Sequence, residues 1–238
     1  MKTSAANLIR WAGLAAMGAG ISFVVIHAIH PLDVLESVTT PRWAIAHYLG
    51  VLMGMFGVWG MTGIYARQAE EAGWLGLIGY VLFSSFFVIT TAFQFMEAFI
   101  SPVLAREAPQ VAEGLLGIAN GHPTGLDLGL LPTVYTVNGF AGYLVGGVLL
   151  GVATLRARVL PRWAAILLIA AAMLPVVAGL PFVSPLFPHP LDRIFAVPMA
   201  LAWAGLGYAL WSERRQTSQS AEGKGSAQLR QAAAEQAH

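Results

Sequence analysis

The chain has 238 residues, of which 57% are hydrophobic and only 11% charged, where a soluble domain carries roughly a quarter charged residues. A water-soluble fold of this size would lack polar surface, so the composition points to an integral membrane protein with the lipid bilayer as its first partner. A net charge of +1 offers no electrostatic footprint for nucleic acid, and the absence of cysteine excludes disulfides, iron–sulfur clusters and thiolate zinc sites.

Six apolar segments follow in chain order, at about 7–29, 43–66, 73–100, 129–154, 161–183 and 193–212. Each is near the roughly 20 residues that a helix needs to cross a bilayer core. The expected fold is therefore all-α: a six-helix transmembrane bundle over residues 1–212, followed by a disordered tail over 213–238. The first apolar run is too long for the core of a secretory signal and reads as a retained helix. His30-Pro31 closes it. Pro41-Arg42-Trp43 opens the second segment and Pro161-Arg162-Trp163 the fifth, with Pro suited to a helix start and Trp to the interface. The two PRWA tetrads lie 120 residues apart, an offset that superposes the first three segments on the last three as an inverted repeat would.

Orientation follows from Lys and Arg. Ten fall on the side of the termini and the 67–72 and 155–160 connections, and three (Arg42, Arg106, Arg193) fall on the other. Both termini should then be cytoplasmic. The opposite, outer side holds His27, His30, His47, His122 and His189. The long outer connection at 101–128 carries Val111, Leu115 and Ile118 at helical spacing beside Glu107, Gln110 and Glu113, which reads as an amphipathic surface helix. The segment 121–125 then reads as a turn. The tail has no apolar face with which to order itself.

Two helices carry glycine seams that end in histidine. Gly13, Met17, Gly20 and His27 share a face of the first, and His47, Gly50, Gly54, Gly57 and Met61 share a face of the second. If these seams pack on each other, His27, His30 and His47 converge. The third segment adds Thr90, Gln94, Glu97 and Ser101, and the fourth adds Tyr135, Asn138 and Gly142. Gln94 and Glu97 are costly in such a helix unless they face protein or water. By depth, His27, His47, Gln94, Glu97, Tyr135 and Asn138 form one outer polar layer, the expected ligand-binding residues. Glu97 should lie within reach of His27, His47 or Asn138.

Several functions fit that layer. It can bind or transport a small ligand or cation. His27, His30, His47 and Glu97 match the preferences of a divalent metal, which would suit a metal-dependent membrane enzyme acting on lipid. Two histidines on glycine-lined helices also suit a b-type haem. The chain can equally be an accessory subunit with membrane-protein partners. No catalytic residue is assigned, and whether the chain is an enzyme stays open.

Three stretches carry a resemblance: His27-x-x-His30-Pro31, Pro41-Arg42-Trp43-Ala44-x-x-His47-x-x-Gly50, and Gly63-Ile64-Tyr65-Ala66-Arg67-Gln68-Ala69, running on into 72–79. Over about its first third, the chain resembles small uncharacterised polytopic bacterial inner-membrane proteins. The resemblance implies a multi-pass protein of the bacterial inner membrane. It implies no activity, cofactor or catalytic residue.

Overall fold

The computed structural model describes residues 4–120, 125–181, 183–186 and 191–213. The expected turn at 121–125 therefore falls largely outside the described residues, and so do His122, His189 and the tail beyond residue 213. Among the described residues the chain is all-helical, with no strand. Helix α1 (Ala5–Ile29) starts on Ser4, whose hydroxyl accepts from the Asn7 N–H, and the one-turn α2 (Leu35–Val38) follows. Helix α3 (Pro41–Phe95) runs through a π-helical turn, Met96–Ile100, into α4 (Ser101–Glu107) and then α5 (Pro109–Ala119). Helix α6 (Leu131–Val137) passes through a second π segment, Asn138–Val145, into α7 (Gly146–Ala157). Helices α8 (Arg162–Ala178) and α9 (Arg193–Glu213) complete the described residues.

Four of these runs are long and apolar enough to cross a membrane: Ala5–Ile29, Pro41–Glu107, Leu131–Ala157 and Arg193–Glu213. Their outward side chains are apolar, as Ile21, Met55, Val88, Phe140 and Leu201 illustrate. The expected fifth segment is shorter than its apolar stretch. Helix α8 spans 17 residues, with Pro175 inside it and Gly179 as its cap. Proline removes a backbone donor and ends regular helix close by.

The expected second and third segments join in one helical run of 55 residues, Pro41–Phe95. Ala69, Glu70, Glu71 and Ala72 in the expected loop are good helix formers, so the connection itself coils. The fold is still a hairpin. Gln68 (φ −129°, ψ 16°) and Gly73 (φ 55°, ψ −154°) leave helical geometry. Beyond them the two limbs run back antiparallel: Gly50 meets Gln94, Gly54 meets Thr91, Gly57 meets Phe87, and the Thr62 hydroxyl lies 3.0 Å from that of Tyr80. Gly73 occupies a region essentially closed to residues with a Cβ. Gly73→Ala should therefore cost about 1–3 kcal/mol, read as a lower melting temperature of the purified chain in detergent. A neutral result would show that the turn relaxes to another geometry.

The glycine seams do not pack on each other as expected. Gly13 and Gly20 of α1 lie against the backbone of α9 at Gly207 and Ala200. Gly50, Gly54 and Gly57 receive the returning limb of α3 instead. Gly60 and Gly63 of the first limb lie against Ala16 and Ala12 of α1. Gly79 meets Leu150 of α7, Gly151 of α7 meets Ile169 of α8, and Gly205 of α9 meets Trp163 of α8. The helices thus close a ring around Met61, Phe83, Phe87, Leu150, Leu168 and Trp203, all fully buried.

The two PRWA tetrads play different parts. Trp43 is buried with Val38 and Leu116, whereas Trp163 is exposed and rests over Gly205. Helix α5 appears where an outer amphipathic helix was expected, with a different inward face. Ala112, Gly114, Leu116 and Gly117 are buried, while Val111, Leu115 and Ile118 are half-buried. Leu116 reaches the Trp43 cluster, so α5 roofs the end of the bundle where His30, His47 and Glu97 lie.

Candidate functional site

His30 is the residue at which α1 stops. Pro31 disfavours helical geometry in the residue before it, and His30 adopts φ −58°, ψ 126°. The side chain therefore leaves the face that His27 occupies. Its Nδ1 lies 2.8 Å from the Pro31 carbonyl oxygen and 4.0 Å from Asp33 Oδ1. Arg193, opening α9, donates to the carbonyls of His27, His30 and Pro31, placing a cation where the dipole of α1 is negative. Burial holds His30 below its ordinary range against the pull of Asp33, and burial pushes the Asp33 carboxyl above its own.

His47 is 1% exposed and lies in the second turn of α3. Its Nδ1 lies 2.7 Å from the Trp43 carbonyl oxygen, four residues back. Its Nε2 lies 3.3 Å from His30 Nε2 and 3.2 Å from Glu97 Oε2. Glu97 sits in the first π turn, where the backbone register shifts and a carbonyl is open to another donor. The Trp43 indole fills that role, its Nε1–H donating to the Glu97 carbonyl at 2.8 Å. Trp43 thus touches both partners of the His47–Glu97 pair.

Beside this row lies a cavity of about 320 Å³, lined by His30, Asp33, Thr90, Gln94, Glu97, Tyr135 and Asn138 among others. Asn138 opens the second π segment and is 6% exposed. Its Nδ2 donates to Thr90 Oγ1 at 3.1 Å, while its Oδ1 has no hydrogen-bond partner. Gln94 Oε1, laid against Gly50, is likewise buried without a partner. Buried acceptors of this kind cost about 1–3 kcal/mol each until a donor or a cation meets them. Both π segments bring a polar residue to this one cavity, and such distortions are frequent at functional sites.

The fold therefore gathers His47, Gln94, Glu97, Tyr135 and Asn138 with His30, and sets His27 apart. His27 Nδ1 lies 2.8 Å from the Phe23 carbonyl oxygen, and its ring packs edge-on against Phe23. It lines a larger cleft of about 620 Å³ with Phe86, Tyr135, Tyr143 and Arg193. Among the described residues no group of three or more histidines and carboxylates is placed to hold a metal ion. The set His27, His30, His47 and Glu97 is not assembled as one. Nor does the His30–His47 pair suit a b-type haem, because its Nε2 atoms are in contact at 3.3 Å with no gap for a porphyrin plate.

Asp33, Trp43 and Arg193 belong to this site and were not among the expected residues. The i, i+4 spacing of Trp43 and His47 was the available signal for the tryptophan; Arg193 had none. No family model matches the chain, nor does any curated protein or solved structure.

Proposed function

We propose that the chain is an integral protein of a bacterial inner membrane, crossing it six times with both termini in the cytoplasm, and that its outer polar cavity binds a small cation. The cation is of the size of an alkali ion or a primary ammonium. Gln94 and Asn138, each with a buried side-chain oxygen that has no hydrogen-bond partner, line one cavity with Glu97, and this carries the reading. A carboxylate and buried acceptors left without donors are answered by positive charge or by N–H donors. The charge distribution supports the orientation: Arg67 and Glu213 pair at 2.7 Å at the end opposite the cavity, where the Lys and Arg excess lies.

Two measurements test it. An alkaline phosphatase fused after residue 215 should be inactive and a fluorescent protein fused there should glow; the reverse pattern overturns the orientation. In detergent, sodium, potassium or methylammonium chloride should raise the melting temperature in proportion to the logarithm of concentration above Kd, with choline as the bulky cation lacking N–H donors. A hundredfold excess over Kd corresponds to about 2.7 kcal/mol. Asn138→Leu should abolish the effect. No shift with any of the three cations, or an equal shift in Asn138→Leu, removes the cavity as a cation site.

A further inference from the structure

The ring nitrogens of His47 face acceptors. A carbonyl oxygen only accepts, so the 2.7 Å contact with Trp43 places a hydrogen on Nδ1. His30 is committed in the same way, because its Nδ1 lies 2.8 Å from the Pro31 carbonyl oxygen. In their neutral forms both histidines then carry a lone pair on Nε2. Those lone pairs face each other at 3.3 Å, with Glu97 Oε2 at 3.2 Å from His47 Nε2. With neutral rings and an ionised carboxylate, no hydrogen lies among the three atoms.

One further proton resolves the conflict. On His47 Nε2 it is shared between His30 Nε2 and Glu97 Oε2; on Glu97 Oε2 it donates to His47 Nε2. A second proton, on His30 Nε2, would meet an N–H or compete for a lone pair already used. The geometry therefore admits one. Glu97 also lines the cavity of Gln94 and Asn138, so one carboxylate serves both the histidine row and the cavity.

We propose that His30, His47 and Glu97 store a single proton and release it to solvent when a cation enters the cavity beside Glu97, so that the site exchanges one for the other. The proposal deepens the reading of the cavity as a cation site and rests on it. The proton leaves as H⁺ from Nε2 of His47 (or Oε2 of Glu97), no other bond changes, and the entering charge replaces the one lost. The charged and titratable groups around the row come from every neighbouring element. Asp33 lies beside His30, and Arg193 sits on the carbonyls that end α1. Tyr135 faces the cavity from α6, and His27 and Arg42 share a neighbouring hollow with His30. Burial keeps His30 below its ordinary range, so its ring stays neutral and its Nε2 lone pair accepts a hydrogen bond from a protonated His47.

The test uses the full chain in detergent, in weak buffer with a pH-indicating dye. Sodium, potassium and methylammonium chloride are added in turn, and binding is followed in parallel by melting temperature. A cation that binds should release about one proton per site, and its affinity should rise about tenfold per pH unit where the proton is exchanged. His47→Gln supplies an amide donor to Glu97 without a titratable group. It should retain a measurable cation affinity but lose both the release and the pH dependence. Phe99→Leu, on the exposed face of the same π turn, should keep both. Cation binding to the unaltered chain without proton release overturns the exchange and leaves the cavity reading intact. Absence of binding by all three cations overturns both. A stoichiometric metal in the purified protein, lost in His47→Gln, also overturns it, because the metal rather than a proton would then answer the lone pairs.

Discussion

Gly13→Val is expected to destabilise the protein by at least about 3 kcal/mol and to unseat α9 from α1. A β-carbon on Gly13 would stand 2.6 Å from the Gly207 carbonyl oxygen and 3.0 Å from the Trp211 nitrogen. The contact is reciprocal, for a β-carbon on Gly207 would stand 2.5 Å from the Gly13 carbonyl oxygen. Both obstacles are backbone, so no rotamer change makes room and the helices must separate. Overpacking commonly costs about 1–3 kcal/mol, occasionally more, and valine adds two methyls beyond the clashing carbon. Within a bilayer, helices associate through close packing rather than hydrophobic transfer, so a lost crossing is not recovered elsewhere. Arg10, which stacks 5.7 Å from the Trp211 ring, would lose its partner in the same movement. Gly18→Ala is the control: its nearest obstacle is the Phe56 ring at 3.1 Å, which can turn, and its loss should stay below about 1 kcal/mol. Equilibrium unfolding in mixed micelles measures both. Equal losses would show that α1 and α9 do not meet backbone to backbone.

The apolar lengths made the helical class legible, because they are a property of many residues at once. The polar layer was legible for a related reason: Gln94, Glu97 and Asn138 are conspicuous in segments otherwise built of Phe, Val and Gly. Which histidines share it was less so. His27 and His30 look like one face only while the helix continues, and Pro31 ends it at His30. The partners of the glycine seams were also hidden. A small-residue stripe says that something approaches closely but does not name the approaching helix, and α9 rather than α3 fills the seam of Gly13 and Gly20. The π segments at Met96–Ile100 and Asn138–Val145 left no mark in composition or spacing. They shift Glu97 and Asn138 relative to a regular helix; the expected reach of Glu97 to His47 is met at 3.2 Å, whereas the bond from Asn138 to Thr90 was not foreseen.

His47→Leu should be the most damaging single change at the site, at about 3 kcal/mol or more. The side chain is 1% exposed and Glu97 is 19% exposed, so solvent offers the carboxylate little once its 3.2 Å partner has gone. Breaking one half of a buried pair typically costs about 3–5 kcal/mol, because the other half stays buried and uncompensated. Leucine also leaves His30 Nε2 without the neighbour it meets at 3.3 Å. Glu97→Gln should cost much less, under about 1.5 kcal/mol, since its amide can donate to His47 Nε2 and the volume is kept. Joining His47→Leu to Glu97→Met removes both polar groups. The double variant should then recover part of the loss, with a coupling energy of about 1–3 kcal/mol between the two positions. Unfolding of the unaltered chain, His47→Leu, Glu97→Met and the double variant under one detergent condition gives the cycle. Losses that simply add would mean that the carboxylate and the imidazole do not sense each other, and the shared proton and its exchange for a cation would go with the pair.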